Sequence, residues 1–336
     1  MSGDRLLQMD NSAHQHFRCS VVIRAYNESK HIGRLLIGLE QQTIQDVEII
    51  VVDSGSTDNT VDIAASHGAR IVHIQPDQFT FGRSLNHGIA AASSDFVVMV
   101  SAHCYPIYPD WLEHLLRPFE DENVAVSYGK QRGGETNPYS EHQFFRKYFP
   151  DISQFHQGHP YSHNANAAIR RSLWEQHPYN ENLTGLEDLA WSSWAFEQGY
   201  KIAYVAEAEV IHLHDERLWQ IYNRHRREAL ALKQILPDSH FTLWNFARLW
   251  LGSTILDLLQ ARREHVVNRY WRSILLFRLA QYWGTFRGYN FSGQVDAQLH
   301  QTFYYPPGIL EKQIPVSRKI TPINYSESSA EERVVP

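Results

Sequence analysis

The chain has 336 residues, 43% of them hydrophobic and 20% charged, enough for a sizeable core and too apolar for a disordered protein. Its 31 lysines and arginines stand against 37 acids, a net charge of −6, which argues against a protein built around nucleic-acid phosphates. Cys19 and Cys104 are its two cysteines, which excludes a disulfide scaffold and a multi-cysteine zinc module and points to a reduced, cytoplasmic setting.

Residues 1–16 are polar and hold no apolar stretch, so no secretory signal is read there. Beyond them, short β-branched runs at Cys19–Arg24, Val47–Val52, Ala69–Ile74 and Phe96–Val100 suit strands buried on both faces. Between the first two runs, Ile32, Leu35, Leu36 and Leu39 form the apolar face of a helix. Asp58 is placed to cap a second helix that Gly68 ends, and a third is expected from about Gly82 to Ser93. This alternation predicts an α/β fold with a mostly parallel sheet and helices on both faces. Ligands bind such sheets beyond the carboxyl ends of the strands. The polar loops there are Ala25–Glu28, Asp53–Asp58 and Ser101–His103.

From about Val124 to His214 the pattern is less regular and richer in aromatics, and from Leu218 to Tyr289 it is helical. No internal repeat is seen. The expected organisation is a main domain over 18–215, a helical region over 216–300 and a proline-containing polar tail over 301–336.

The run VVIRAYNESKHIGRLLIGLEQQTIQDVEIIVVDSGSTD (Val21–Asp58) is followed in order by FGRSLNHGIAAASSDFVVMVSAHCYP, SYGKQ, NANAAIRRSLW, GLEDLAW and HLH. Over roughly residues 18–235 this series resembles glycosyltransferase family 2, whose members have the Rossmann-like GT-A fold, and Pro106 matches its rhamnosyltransferase-like branch. The resemblance implies transfer of a sugar, with inversion, from a nucleotide-sugar donor to a hydroxyl of a glycan or lipid-linked acceptor. It also implies work in surface polysaccharide or glycolipid synthesis on the cytoplasmic face of the membrane. A non-catalytic sugar-nucleotide or glycan-binding protein is the alternative. A nucleotidyltransferase fits less well, because no Gly-rich, Arg-containing phosphate loop opens the chain.

By the same resemblance Asp53 contacts the nucleotide, with Ala25, Asn27 and Glu28 on the neighbouring loop; the last two serve the base or ribose, or shape the loop. Arg83 is placed near the phosphates, with Asn86 beside it; the bland reading of Arg83 is a bridge to Asp77 or Asp95. Asp188 matches the family's catalytic base and Glu187 an acceptor-binding acid, though both also suit a helix start. Asn164 and Asn166 fall on the acceptor side. Arg224 and Arg227, clustered with Asn223 and Arg226, are placed to stabilise the leaving diphosphate or else make a solvated helix face.

The chain departs from the family at the metal motif. Where relatives carry Asp-x-Asp or a single Asp, it reads Ser101-Ala102-His103, and His212-Leu213-His214 matches a downstream strand whose His completes the metal shell in some members. His103 and His214 are therefore the candidate ligands of a divalent cation, Mn²⁺ or Mg²⁺, with diphosphate oxygens filling its shell. The alternative is a metal-free site in which protonated His103 and nearby arginines face the diphosphate.

Between Phe241 and Tyr289 the chain holds Trp244, Trp250, Trp271 and Trp283 among seven arginines and two acids, Asp257 and Glu264. Trp and Arg on helices suit a membrane headgroup layer; a buried subdomain or a contact with a second copy of the chain is the competing reading.

Overall fold

The structure is a computed structural model that describes residues 17–293; the expected polar tail lies outside the described residues. In chain order the elements are β1 (Cys19–Ala25), α1 (Ile32–Glu40), β2 (Val47–Asp53), α2 (Thr60–Ser66), β3 (Arg70–His73), α3 (Phe81–Ala91), β4 (Phe96–Ser101) and β5 (Cys104–Pro106). Then come α4 (Trp111–Leu116), β6 (Val124–Gly133), α5 (Tyr139–Tyr148), β7 (Asn166–Arg170), α6 (Arg171–Gln176), α7 (Glu187–Glu197) and β8 (Lys201–His212). Three long helices follow: α8 (Leu218–Ile235), α9 (Leu243–Arg263) and α10 (Val267–Tyr289).

The strands form one eight-stranded sheet in the order β3-β2-β1-β4-β7-β6-β8-β5. The first four strands in that order are parallel, as their β-branched runs predict. β7 then pairs antiparallel with both β4 and β6, and β5 antiparallel with β8, so the whole sheet is mixed. Along β1, Val21 and Ile23 join the core under α1, while Val22 joins the core under α3. Burial on both faces explains why the strand lacks polar alternation. Leu35 and Leu36 of α1 cover one face, and Leu85 and Ile89 of α3 the other.

Because β1, β2 and β4 run parallel, the loops after them emerge on one edge, and β8 delivers its His212 end beside β5. The C-terminal helices close over that edge. A Cβ on Gly284 of α10 would lie 2.3 Å from the Tyr222 carbonyl oxygen, and one on Gly288 would lie 2.4 Å from that of Arg226. Glycine at both positions lets α10 lie directly on the backbone of α8, which carries the arginine cluster. Cys19 and Cys104 are both free and buried.

Candidate active site

The loops after β1 and β2 are laced together by short polar side chains. The Asp53 carboxylate, 2% exposed, accepts from the backbone N–H groups of Gly55 (3.1 Å) and Ser56 (3.2 Å). Asn27, in the left-handed region at φ 54°, accepts from the Thr57 N–H at 2.8 Å and donates its own N–H to Ser56 Oγ. The Glu28 N–H donates to Thr60 Oγ1, while its carboxylate takes His103 Nδ1 at 2.8 Å. Asp53, Asn27 and Glu28 thus all shape this edge, with Ala25 packed beneath it and its carbonyl accepting from Ser54 N–H.

Arg83 and Asn86 turn towards the segment before α7. Arg83 Nε donates to Glu181 at 2.7 Å, so its ion-pair partner is Glu181 rather than Asp77 or Asp95. The Asn86 amide donates to the Tyr179 carbonyl and Glu181, and accepts from Trp174 Nε1 and the Tyr179 N–H, which makes it a latch between α3 and residues 174–181. Asn166, fully buried, bonds Trp111 Nε1 and the carbonyls of Lys130 and Ala208, and so ties strands together in the core.

The acidic pair opens α7. Leu186 precedes it in the left-handed region at φ 57°, a conformation that costs a non-glycine residue about 1–2 kcal/mol and turns the chain into the helix. Glu187 is 5% exposed and pairs with Arg24 Nη1 at 3.1 Å. Asp188 Oδ2 accepts from the Asn164 N–H (3.1 Å) and Oδ1 from the Leu189 N–H (2.8 Å). Burial raises the pKa of both carboxyls; Arg24 opposes this at Glu187 and the two backbone amides at Asp188. Arg24, on a charged position at the end of an otherwise apolar strand, is a site residue that motif matching did not single out.

Three histidines converge beside this pair. The His212 and His214 rings lie 4.1 Å apart, as alternation along one strand predicts, and the His103 ring stacks on His212 at 5.1 Å. One ring nitrogen from each lies within 4.8 Å of the others. His103 Nδ1 is held by Glu28, His212 Nδ1 by Gln131 Oε1 at 2.7 Å, and His214 Nδ1 by Glu141 at 2.7 Å. Burial and the neighbouring rings hold His212 well below the ordinary histidine value. At His103 burial acts in the same direction, but the Glu28 carboxylate outweighs it and raises the pKa.

Glu141 of α5 is buried, which raises its pKa, yet His214 and Arg224 together hold the carboxyl well below the usual range. Arg224 bridges Glu141 (2.8 Å) and Glu216 (2.7 Å), so its charge is neutralised within the protein. The Arg227 guanidinium instead lies 4.6 Å from the centre of the Phe81 ring, and that of Arg24 lies 4.7 Å from the same ring. Cations over an aromatic face keep their charge while their orientation is set.

A cavity of about 430 Å³ joins these groups, and Arg24, Glu187, Asp188, His212, His214, Arg224 and Arg227 all line it. Aromatic side chains of α5 and α10, among them Phe144, Tyr148, Phe277 and Tyr289, form its far wall. Ala25, Asn27, Glu28, Asp53, Arg83, Asn86 and His103 do not line this cavity; Glu28 is linked to it through His103, whose ring stacks on His212 of the lining.

Comparison with known proteins supplies the chemistry. Residues 20–177 match Glycosyl transferase family 2. The chain is 27% identical over 279 residues to the O-antigen chain rhamnosyltransferase WbaN of Salmonella anatum, covering 74% of this chain and 88% of that protein. It is 24% identical over 302 residues to the O-antigen chain rhamnosyltransferase RfbN of Salmonella typhimurium, covering 81% and 96%. Among solved structures it is similar to the mannosyltransferase PcManGT from Pyrobaculum calidifontis, solved with GDP-Man and Mn²⁺ (TM-score 0.56, 16% identity, 81% of this chain and 87% of that one). It is also similar to glucosyl-3-phosphoglycerate synthase from Mycobacterium tuberculosis (TM-score 0.50, 22% identity, 68% and 82%). With the mixed sheet, the loops on one edge and these relatives together, the chain is a glycosyltransferase of GT-A fold that is similar to glycosyltransferase family 2 over residues 20–177 and to O-antigen chain rhamnosyltransferases over most of its length.

Proposed function

We propose that the protein transfers a sugar, with inversion, from a nucleotide-sugar donor to a hydroxyl of a growing glycan or lipid-linked acceptor, in the assembly of a surface polysaccharide. The observation that carries this reading is the shared cavity: the Glu187–Asp188 pair, His212 and His214, and Arg224 and Arg227 of α8 all line it. Asp188 takes the proton of the acceptor hydroxyl as that oxygen attacks the anomeric carbon. Its two backbone hydrogen bonds fix the carboxylate, and burial keeps it basic enough for the task. Glu187, held by Arg24, is assigned to positioning on the acceptor side. Arg227 is the cation assigned to the leaving diphosphate, with Arg224 holding Glu141 and through it His214.

Asp53, Asn27 and Glu28, with Ala25, are assigned to the nucleotide edge, where their hydrogen bonds preset the loops. Arg83 and Asn86 support that edge through Glu181. His103 and His214 fit a divalent cation, because a carboxylate orients the Nδ1 of each ring. A bound cation would neutralise charge on the donor diphosphate. The two relatives' names make a rhamnosyl nucleotide the first donor to try. Thermal-shift screening of nucleoside diphosphates and nucleotide sugars, followed by a transfer assay, tests the reading. Stabilisation by a donor together with turnover is expected. Stabilisation without turnover on any glycan or lipid-linked acceptor would favour the binding-protein alternative.

We further infer that the outer face of α9 and α10 rests on an anionic membrane surface. Trp244, Leu251, Ile255, Leu256, Trp271 and Leu276 are all exposed there, Trp244 by 73%. Arg248, Arg262, Arg263, Arg269 and Arg272 are exposed on the same helices. The two acids of the region are engaged: Asp257 is buried against Arg278, and Glu264 pairs with Arg146. The face therefore offers aromatic and aliphatic side chains among uncompensated arginines, a match for anionic headgroups at about 1 kcal/mol per arginine. Among the described residues no helix is long and apolar enough to cross a membrane. The protein is expected to co-sediment with vesicles containing phosphatidylglycerol, less so at high salt, and poorly with pure phosphatidylcholine. Absence of binding at low salt, with a dimer seen by sedimentation, would assign the face to a second copy of the chain.

A further inference from the structure

We propose that His103, His212 and His214 form an all-imidazole cation site that takes a borderline transition ion of the zinc class in preference to Mg²⁺. The inference rests on the metal placement in the reading above and names a third ligand and an ion class for it. Its test reads the ion alone.

The three rings come from the loop after β4 and from the end of β8, and their ring nitrogens already lie within 4.8 Å of one another. Every Nδ1 is occupied by an oxygen: Glu28 for His103, Gln131 for His212 and Glu141 for His214. Such partners fix ring orientation and leave Nε2 as the nitrogen each ring can offer to an ion. His212 is 3% exposed and its Nε2 has no hydrogen-bond partner. A buried polar atom left unsatisfied costs about 1–3 kcal/mol, and a ligand bond removes that cost.

The donor set also chooses the ion. Imidazole nitrogens suit zinc, iron, cobalt and nickel, whereas magnesium demands oxygen ligands in an octahedral shell. A neighbouring trio, Glu141, His214 and Glu216, offers two carboxylates, but Arg224 already pairs with both. The triad of rings therefore remains the better-formed cation site.

The experiment uses the full chain, stripped of metal with a chelator, and titrates it with Co²⁺ while visible absorbance is recorded. One Co²⁺ per chain is expected, with ligand-field bands that Zn²⁺ abolishes by displacement and excess Mg²⁺ leaves unchanged. The bands should be lost in His212→Ala and also in His103→Ala, whose partly exposed ring can be removed without opening the core; melting curves confirm folding. Glu28→Gln should weaken Zn²⁺ binding by about 10–100-fold in equilibrium dialysis. His103→Asp should shift preference from Zn²⁺ towards Mn²⁺. Mg²⁺ binding as tight as Zn²⁺, or no Co²⁺ bands in the folded parent, would overturn the proposal. Sugar transfer in chelator by that same protein would leave the transferase reading intact. Zn²⁺ bound at these rings without transfer from any donor would support the site and count against the proposed reaction.

Discussion

Asp188→Asn is expected to lower sugar transfer by about 10²–10⁴-fold, the usual effect of losing a positioned general base, while donor binding persists. The amide has nearly the same shape, but one of its ends is a donor. In the parent, Oδ2 accepts from the Asn164 N–H and Oδ1 from the Leu189 N–H, so an amide must leave one of these backbone groups facing an NH₂. A stability loss of about 1–3 kcal/mol therefore accompanies the variant, and rates are to be measured below its melting transition. The parent should also lose activity on acidification. Burial raises the Asp188 pKa, so the carboxylate takes up its proton above the ordinary Asp value of about 3.9. Only the ionised form accepts a proton, so the rate rises with pH through that raised value, and this limb should vanish from the residual activity of the variant. Parental rates in Asp188→Asn would place the base elsewhere.

The second large effect is on stability. Asp257→Ala is expected to cost about 3–5 kcal/mol in urea denaturation, because it strips the partner from a buried guanidinium. Arg278 donates to both Asp257 oxygens, through Nε at 2.8 Å and Nη2 at 3.0 Å, and neither residue is more than 7% exposed. Nη2 also reaches the Ser140 carbonyl, so the pair pins α10 and α9 to α5, next to Glu141 and the histidine cluster. The double variant Asp257→Leu/Arg278→Met should recover most of the loss, since apolar packing often replaces a buried ion pair at little cost. Vesicle binding should be unchanged in the folded double variant, because both side chains face inward. A cost below 1 kcal/mol for Asp257→Ala would show that Arg278 relaxes to water.

Local pattern alone carried the first four strands, although β3, expected to be buried on both faces, is an edge strand with Arg70 and His73 exposed. Each of β1, β2 and β4 is buried on both faces, and such strands read as unbroken β-branched runs between polar loops. The acidic pair at the start of α7 and the alternation that brings His212 and His214 together were legible for the same reason, since both depend on residues close in the chain. The antiparallel strand β7, which makes the sheet mixed, was not. Its neighbours β4 and β6 lie far from it in sequence, and burial on a crowded middle position leaves no alternation to read.

The partners of the site residues were likewise a matter for the tertiary structure. Asp257 reads in sequence as one of two acids in an arginine-rich helical stretch; Arg278, a helix away, makes it a buried crosslink. Arg224 reads as a free cation until Glu141 and Glu216 arrive from other segments to neutralise it. Glu28, one of the nucleotide-loop candidates, meets His103 only when β1 and β4 pair side by side. The sequence by itself carried the family resemblance, the strand-and-loop edge and the identity of the chemical groups, because those follow from motif and local periodicity. The pairing of charges, the approach of His103 to His212 and His214, and the direction of each pKa shift depend on which distant segments exclude water together, and only the packed chain decides that.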